Sequence, residues 1–242
     1  MLEKKSVFTV STYQCDSKGR IQPHSLMHQV QEAATKHAEE LGVGYEWMER
    51  NRFYWVLVNF GLQFFETPIY GTSIMLRTWP SGLDPLKAYR DFSGEDLKGR
   101  KLFIATSDWM VIDASKMRPV MIADLGFDFE HSSTRIMEGP ERLSHAGNFN
   151  EVGRIVVPYS SIDMNGHVNN TEYIRWGMDS ARREIGDLPN IRSFKITFMS
   201  EVFKNEELAL MNLGVEEGRL RVKGTRTRDG KDAFVMEIEY EV

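Results

Sequence analysis

The chain has 242 residues, 41% apolar and 27% charged, with a net charge of −5 and a single cysteine. That length holds one large domain or two small ones, and the acidic balance argues against a nucleic-acid binder, which carries a basic surplus. No apolar run reaches the roughly 18–20 residues of a membrane span, and Cys15 alone can build neither an intramolecular disulfide nor a cysteine zinc site.

Met1-Leu2-Glu3-Lys4-Lys5 leads directly into a strand-like run, with no apolar leader or Arg/Ser-rich transit segment, so a cytoplasmic protein is expected. Residues 6–15 alternate like a strand, and Asp16-Ser17-Lys18-Gly19 reads as a turn. Residues 24–41 place Leu26, Val30, Ala33, Ala34, His37 and Leu41 at helical spacing, with Gly42 and Gly44 as stop signals. Four strand-like runs follow, about 52–66, 71–80, 86–95 and 101–113, punctuated by Pro68, Gly71, Gly82, Pro85 and Gly99.

Residues 114–150 are rich in turn formers and charges and read as a surface linker with some helix near Leu125–His131. The order then repeats. A strand at 152–159 precedes the segment Asp163-Met164-Asn165-Gly166-His167-Val168-Asn169-Asn170. A helix at 171–185 carries Ile174, Met178, Ala181 and Ile185 on one face and closes at Gly186, with Asn169 and Glu172 spaced as a capping box. Strand-like runs at about 191–203, 206–215, 218–228 and 232–242 complete it, and residues 71–79 and 99–109 parallel 206–214 and 230–240. Strand, helix and four-strand meander, written twice, is an α+β layout in which each antiparallel sheet wraps around one long helix.

The 163–170 segment carries the chemistry. An acid, an amide and an imidazole recur at every second position, and alternate side chains of an extended segment share a face. Asp163, Asn165 and His167 are therefore expected to converge on one spot. The following helix aims unpaired N–H groups and its positive end at the same region, and backbone N–H groups of Gly166 to Asn170 are candidates for an oxyanion site. Taken alone, an Asp-x-Asn turn is more often a loop that hydrogen-bonds its own backbone; three such residues ahead of a capped helix favour catalysis. His24 and His28 stand i, i+4 with no third ligand evident, so no metal site is expected. Cys15 reads as a semi-buried residue near a strand end.

One strand–helix–meander unit resembles the hot-dog fold, and two in tandem resemble the acyl-acyl-carrier-protein thioesterase family. The resemblance runs nearly end to end and rests most specifically on Asp163-x-Asn165-x-His167-Val168-Asn169-Asn170 with Tyr173-Ile174-x-Trp176 behind it. Trp55-Val56-Leu57, Trp79, Tyr89-Arg90-Asp91-Phe92 and Ala105-Thr106-Ser107-Asp108-Trp109 support it by their order. It implies a tandem hot-dog with an N-terminal acyl-binding unit at 1–113, a linker at 114–150 and a catalytic unit at 151–242. It also implies hydrolysis of a fatty acyl thioester on the phosphopantetheine arm of acyl carrier protein. Glu201, in Thr197-Phe198-Met199-Ser200-Glu201-Val202, falls at the family's catalytic glutamate, and Val202 stands where plant members carry a cysteine.

The expected catalytic set is thus Asp163, Asn165, His167 and Glu201, with Asp163 as nucleophile or general base. The first-half turn lacks that set. Leu26, Val30 and Ala33 are accordingly expected to face the acyl chain, and Arg182, Arg183, Lys195 and Lys204 are candidate contacts for an acidic carrier protein. Neither metal nor organic cofactor is expected, and a homodimer is possible. The alternatives are an acyl-CoA thioesterase or another hot-dog enzyme such as a dehydratase, and a non-catalytic acyl-binding protein.

Overall fold

The structure is a computed structural model describing residues 2–127, 129–139, 142–186 and 189–242. The chain divides into two compact units, Met1–Pro140 and Glu141–Val242.

In the N-terminal unit, β1 (Lys4–Thr9) is followed by α1 (Pro23–Glu40) and α2 (Tyr45–Asn51). Then come β2 (Phe53–Phe64), β3 (Ser73–Leu83), β4 (Ala88–Asp96), β5 (Lys101–Asp113) and the short β6 (Arg118–Pro119). The sheet order is β1-β3-β4-β5-β2, antiparallel throughout, with β6 on β5. The C-terminal unit repeats it: β7 (Asn150–Val156), α3 (Asn170–Ile185), β8 (Ile191–Phe198), β9 (Glu207–Glu216), β10 (Arg219–Arg226) and β11 (Asp232–Tyr240). Its order is β7-β9-β10-β11-β8. Each unit is therefore built on five long antiparallel strands with one long helix against them, α1 on β3 and α3 on β9 and β10, which is the tandem hot-dog.

Local chemistry explains the elements. Pro23 opens α1 at a position where its missing N–H costs nothing. Leu26, Val30, Ala33 and His37, spaced 4, 3 and 4, form the buried stripe. In each unit a glycine of the third meander strand lies opposite a phenylalanine of the next, Gly94 with Phe103 and Gly224 with Phe234. A Cβ at those glycines would sit 2.1 and 2.4 Å from the ring, so only a bare backbone lets the Phe lie across the strand into the core.

Three expectations change. The helix α2 was not anticipated: Gly44 begins it as the N-cap, and Arg52 ends it at φ 59°. Its Trp47 and Met48 join Phe53, Trp55, Val111, Ile122 and Phe127 in a cluster. No α-helix forms over the described residues of 125–131; a single 3-10 turn, Ile122–Leu125, ends at the first of them. The internal match also moves by one residue. Gly71 N–H bonds Val10 O as Asn205 N–H bonds Val157 O, both at positive φ, so Gly71 corresponds to Asn205 rather than to Glu206.

The linker docks onto the sheets. In the N-terminal unit, Arg135 reaches Asp108 Oδ1 at 2.9 Å and Thr106, and lies 4.4 Å over the Tyr89 ring. Ile136 N–H bonds Asp91. Asp91 and Asp108 are buried, so Arg135 supplies the positive charge that buried carboxylates require. In the C-terminal unit, His145 Nδ1 meets Asp232 at 2.8 Å and Phe149 lies under Lys223.

Candidate active site

Asp163 to His167 is a closed turn, not an extended segment. Asp163 N–H bonds His167 O at 2.9 Å, and Gly166 N–H bonds Asp163 O at 3.0 Å. Gly166 sits at φ 81°, a conformation glycine adopts without strain. Asp163 Oδ1 accepts the N–H groups of Asn165 at 2.8 Å and His167 at 3.3 Å. Closure of the turn, rather than alternation along a strand, brings Asp163 and His167 together. Among the described residues, Asp163 Oδ2 takes no hydrogen bond, and the exposed Asn165 side chain makes none.

The segment between β8 and β9 delivers Glu201. Val168 N–H bonds Val202 O at 3.1 Å, which sets the residues next to them, His167 and Glu201, side by side. His167 Nε2 lies 3.7 Å from Glu201 Oε2, just beyond hydrogen-bond length. Phe203 packs edge-on against the imidazole at 5.2 Å between ring centres. Val202 is fully buried, so the residue after Glu201 faces the core.

Four of the five expected oxyanion donors, those of Gly166 to Asn169, are already committed. Gly166 N–H bonds Asp163 O, His167 N–H bonds Asp163 Oδ1, Val168 N–H bonds Val202 O and Asn169 N–H bonds Ser161 O at 2.9 Å. Asn169 caps α3 by accepting from Thr171 N–H at 3.0 Å. Glu172 does not complete a capping box; its carboxylate takes the Ser161 hydroxyl at 2.6 Å and Arg175. Asn165, through its side-chain amide, and His167 remain as donors at the mouth of the turn.

The N-terminal unit contains the same turn. Asp16 N–H bonds Arg20 O at 2.8 Å, Gly19 N–H bonds Asp16 O, and Asp16 Oδ1 accepts from Lys18 and Arg20 N–H. Ile21 N–H bonds Pro68 O as Val168 N–H bonds Val202 O. Arg20 therefore corresponds to His167 and Thr67 to Glu201. Arg20 covers Asp16 Oδ2 through Nε at 2.8 Å and a terminal nitrogen at 2.7 Å. Burial opposes ionisation of Asp16, but Arg20 and the turn N–H groups outweigh it and hold the carboxyl below its usual range. Burial, then Asp16, push the neighbouring Cys15 thiol up, which disfavours the thiolate a nucleophile needs.

Leu26 and Val30 have no accessible surface and Ala33 very little. One turn further along their stripe, His37 Nδ1 lies 3.0 Å from an Arg90 guanidinium nitrogen that also reaches Thr78 Oγ1 at 3.2 Å. Burial pushes the Arg90 guanidinium down to about 10. Sequence reading passed over this pair, although a histidine on a buried stripe is its visible trace.

The four basic candidates do not form one group. Arg182 donates to Gly186 O and Pro189 O and so finishes the C-terminal end of α3, while Arg183, in the same last turn, donates to Val152 O of β7. That end is about 18 Å along the helix from its start at Asn170. Lys195 lies on β8 opposite Glu237. Lys204 is three residues from Glu201 and stands 5.5 Å over the exposed Tyr159 ring.

Residues 2–126 match the acyl-ACP thioesterase N-terminal domain, and residues 145–242 match the acyl-ACP thioesterase C-terminal domain. The chain belongs to the acyl-ACP thioesterase family. Among its relatives, oleoyl-acyl carrier protein thioesterase 1 of Arabidopsis thaliana is 22% identical over 83% of this chain and 60% of its own length. An Arabidopsis palmitoyl-acyl carrier protein thioesterase is 23% identical over 90% of this chain and 57% of its own. The chain thus spans about 60% of the length of the curated relatives it matches. In structure it resembles an acyl-ACP thioesterase from Bacteroides thetaiotaomicron, with TM-score 0.87, 24% identity and coverage of 99% and 98% of the two chains. It also resembles the 12:0-ACP thioesterase of Umbellularia californica, with TM-score 0.86, 18% identity and coverage of 100% and 98%. At those identities the likeness is one of fold.

Proposed function

We propose that this chain hydrolyses the thioester of fatty acyl-acyl-carrier protein, releasing free fatty acid and carrier protein. The observation that carries the reading is Asp163, whose one oxygen holds the turn while the other takes no hydrogen bond among the described residues, in the same turn that carries His167 to its contact with Glu201. Family membership supports the substrate class.

Two routes use the open oxygen. In the first, Asp163 Oδ2 attacks the thioester carbonyl, the C–S bond breaks, and water opens the resulting mixed anhydride. In the second, Asp163 takes a proton from water, which attacks directly. In both, His167 protonates the departing thiolate, Glu201 holds the imidazole, and the Asn165 amide faces the developing oxyanion. Side chains and water suffice, so no metal or organic cofactor enters the proposal. Single-turnover hydrolysis in heavy-oxygen water tests the first route: label in Asp163 establishes the anhydride, whereas label confined to the fatty acid is the outcome of the general base and of an anhydride opened at its acyl carbonyl.

The N-terminal unit is proposed as the acyl-binding half, served by the stripe Leu26, Val30 and Ala33. Ala33→Leu is expected to shift preference towards shorter chains, and an unchanged chain-length profile would remove the stripe from the binding site. Lys204, three residues from Glu201 in the chain, is the favoured basic contact for the acidic carrier; Arg182, Arg183 and Lys195 are secondary. Cytoplasmic location belongs to the same reading, supported by the single cysteine; among the described residues no helix is long and apolar enough to cross a membrane. A homodimer is the proposed assembly, tested by sedimentation.

The direct test is thiol release from a panel of acyl-carrier-protein substrates beside the matching acyl-CoAs, with Asp163→Asn as the blank. Fast release from carrier protein, lost in the variant, is expected. Release from CoA alone would move the function to an acyl-CoA thioesterase, and release from neither would leave an acyl-binding protein.

A further inference from the structure

Glu201 is presented by a short segment between β8 and β9, and a loop would not by itself hold a carboxylate at a fixed distance from His167. The structure shows what holds it. The peptide joining Glu201 to Val202 is held through its carbonyl oxygen. Its oxygen, Glu201 O, accepts a terminal guanidinium N–H of Arg226 at 2.7 Å. Val202 itself is fully buried, so the peptide is also held by the packing of its side chain in the core. The next carbonyl, Val202 O, takes the Val168 N–H that sets the His167 register.

Arg226 is itself fixed. It is 6% exposed, in the last position of β10. Asp229 binds it through two parallel bonds, Nε to Oδ1 at 3.1 Å and a terminal nitrogen to Oδ2 at 2.6 Å, the paired geometry that orients a guanidinium most strongly. Asp229 is anchored in turn by Lys231 N–H at 3.2 Å. The β10–β11 hairpin is closed by Arg226 N–H to Lys231 O and Gly230 N–H to Arg226 O. A staple for the hairpin alone needs only the Arg226–Asp229 pair. The remaining donor is aimed out of the hairpin, at the one carbonyl that belongs to Glu201.

We propose that Arg226, oriented by Asp229, is a positioning residue for Glu201: it fixes the plane of the 201–202 peptide and thereby the direction in which the Glu201 carboxylate meets His167. This rests on the reading of Glu201 as the partner of His167. Arg226 touches no reacting atom, and its effect passes through Glu201.

The test is a double-mutant cycle with two readouts. Arg226→Met and Asp229→Asn are each combined with Glu201→Gln, and kcat and KM are measured on an acyl-carrier-protein substrate. Ring-nitrogen NMR shifts of His167 are recorded at one pH. Arg226→Met is expected to lower kcat about 10- to 100-fold, within the scale of acid–base effects, with KM within about twofold. Asp229→Asn, which keeps the guanidinium but loosens its orientation, should lose less. In the Glu201→Gln background neither change should lower kcat further by more than about twofold, because both act through the same group. Losses that multiply, or an Arg226→Met enzyme with unchanged kcat, would overturn the proposal. If Glu201→Gln leaves activity intact, the catalytic reading of Glu201 fails and the NMR decides for Arg226. His167 shifts in Arg226→Met that reproduce those of Glu201→Gln support positioning; shifts equal to those of the parent protein overturn it. Asp229→Asn carries the same two readouts should Arg226→Met fold poorly.

Discussion

The two units fold the same turn and put it to different use. Asp16 and Asp163 each spend one oxygen on the N–H groups two and four residues on, with Gly19 and Gly166 at matching positive φ. A third copy closes the β4–β5 hairpin, where Asp96 Oδ1 holds Lys98 and Arg100 N–H at 2.9 Å. In two of the three turns the fifth residue is an arginine that covers the second oxygen. In the third it is His167, and the oxygen stays open. Holding the turn is thus the common task of the aspartate, and the fifth residue decides whether a carboxylate oxygen is left for chemistry.

The sharpest way to break this comparison is His167→Arg. An arginine there should cover Asp163 Oδ2 as Arg20 covers that of Asp16, and turnover should fall about a thousandfold or more with thermal stability kept or raised. More than a tenth of parental activity in a folded variant would show that the open oxygen is not needed. Asp163→Asn is next. Its amide oxygen still accepts the turn N–H groups, so the fold should persist while kcat falls at least about a hundredfold; circular dichroism and thiol release together check it.

Arg135→Ala tests stability rather than chemistry. It strands the buried Asp91 and Asp108, although Lys87 still lies 3.5 Å from Asp108. The expected cost is about 3 kcal/mol, the lower end for unpairing a buried charge, measured by denaturant unfolding; a loss under about 1 kcal/mol would mean the carboxylates are neutralised otherwise. Asp16→Asn should have the smallest effect, up to about 1 kcal/mol at neutral pH. Because the folded pKa of Asp16 is depressed, its contribution is present above the unfolded value of about 4 and is lost as pH falls through the folded one. Parent and variant should therefore converge in acid, and a gap that persists at pH 2 would remove the charge from the explanation.

The repeat, both long helices and all ten longer strands were legible, because each carries a periodic run and a turn signal at its end, although the run at 6–15 overshoots β1, which stops at Thr9 before a 3-10 turn at Thr12–Gln14. The alternation at 163–167 misled because Gly166 turns the chain where an extended reading assumes it runs on. The seven residues of α2 are under two helical turns, too few for a period to show, and Gly44 served as its start rather than as a stop. Glu201 was reachable only through resemblance, since nothing local ties it to His167, 34 positions earlier. Arg226 and Arg135 were beyond reach for the same reason: sheet register chooses their partners, 25 residues away for Glu201 and 27 for Asp108.

The docking of Arg135 on β4 and β5 bears on where this protein can be cut. A fragment ending at Asp113, where the last long strand of the first unit stops, would lack the cation that Asp91 and Asp108 are folded around. One carried past Ile136 would keep it. The segment that a sequence reader sets aside as a connector is, for the first unit, the last piece of its interior to be synthesised.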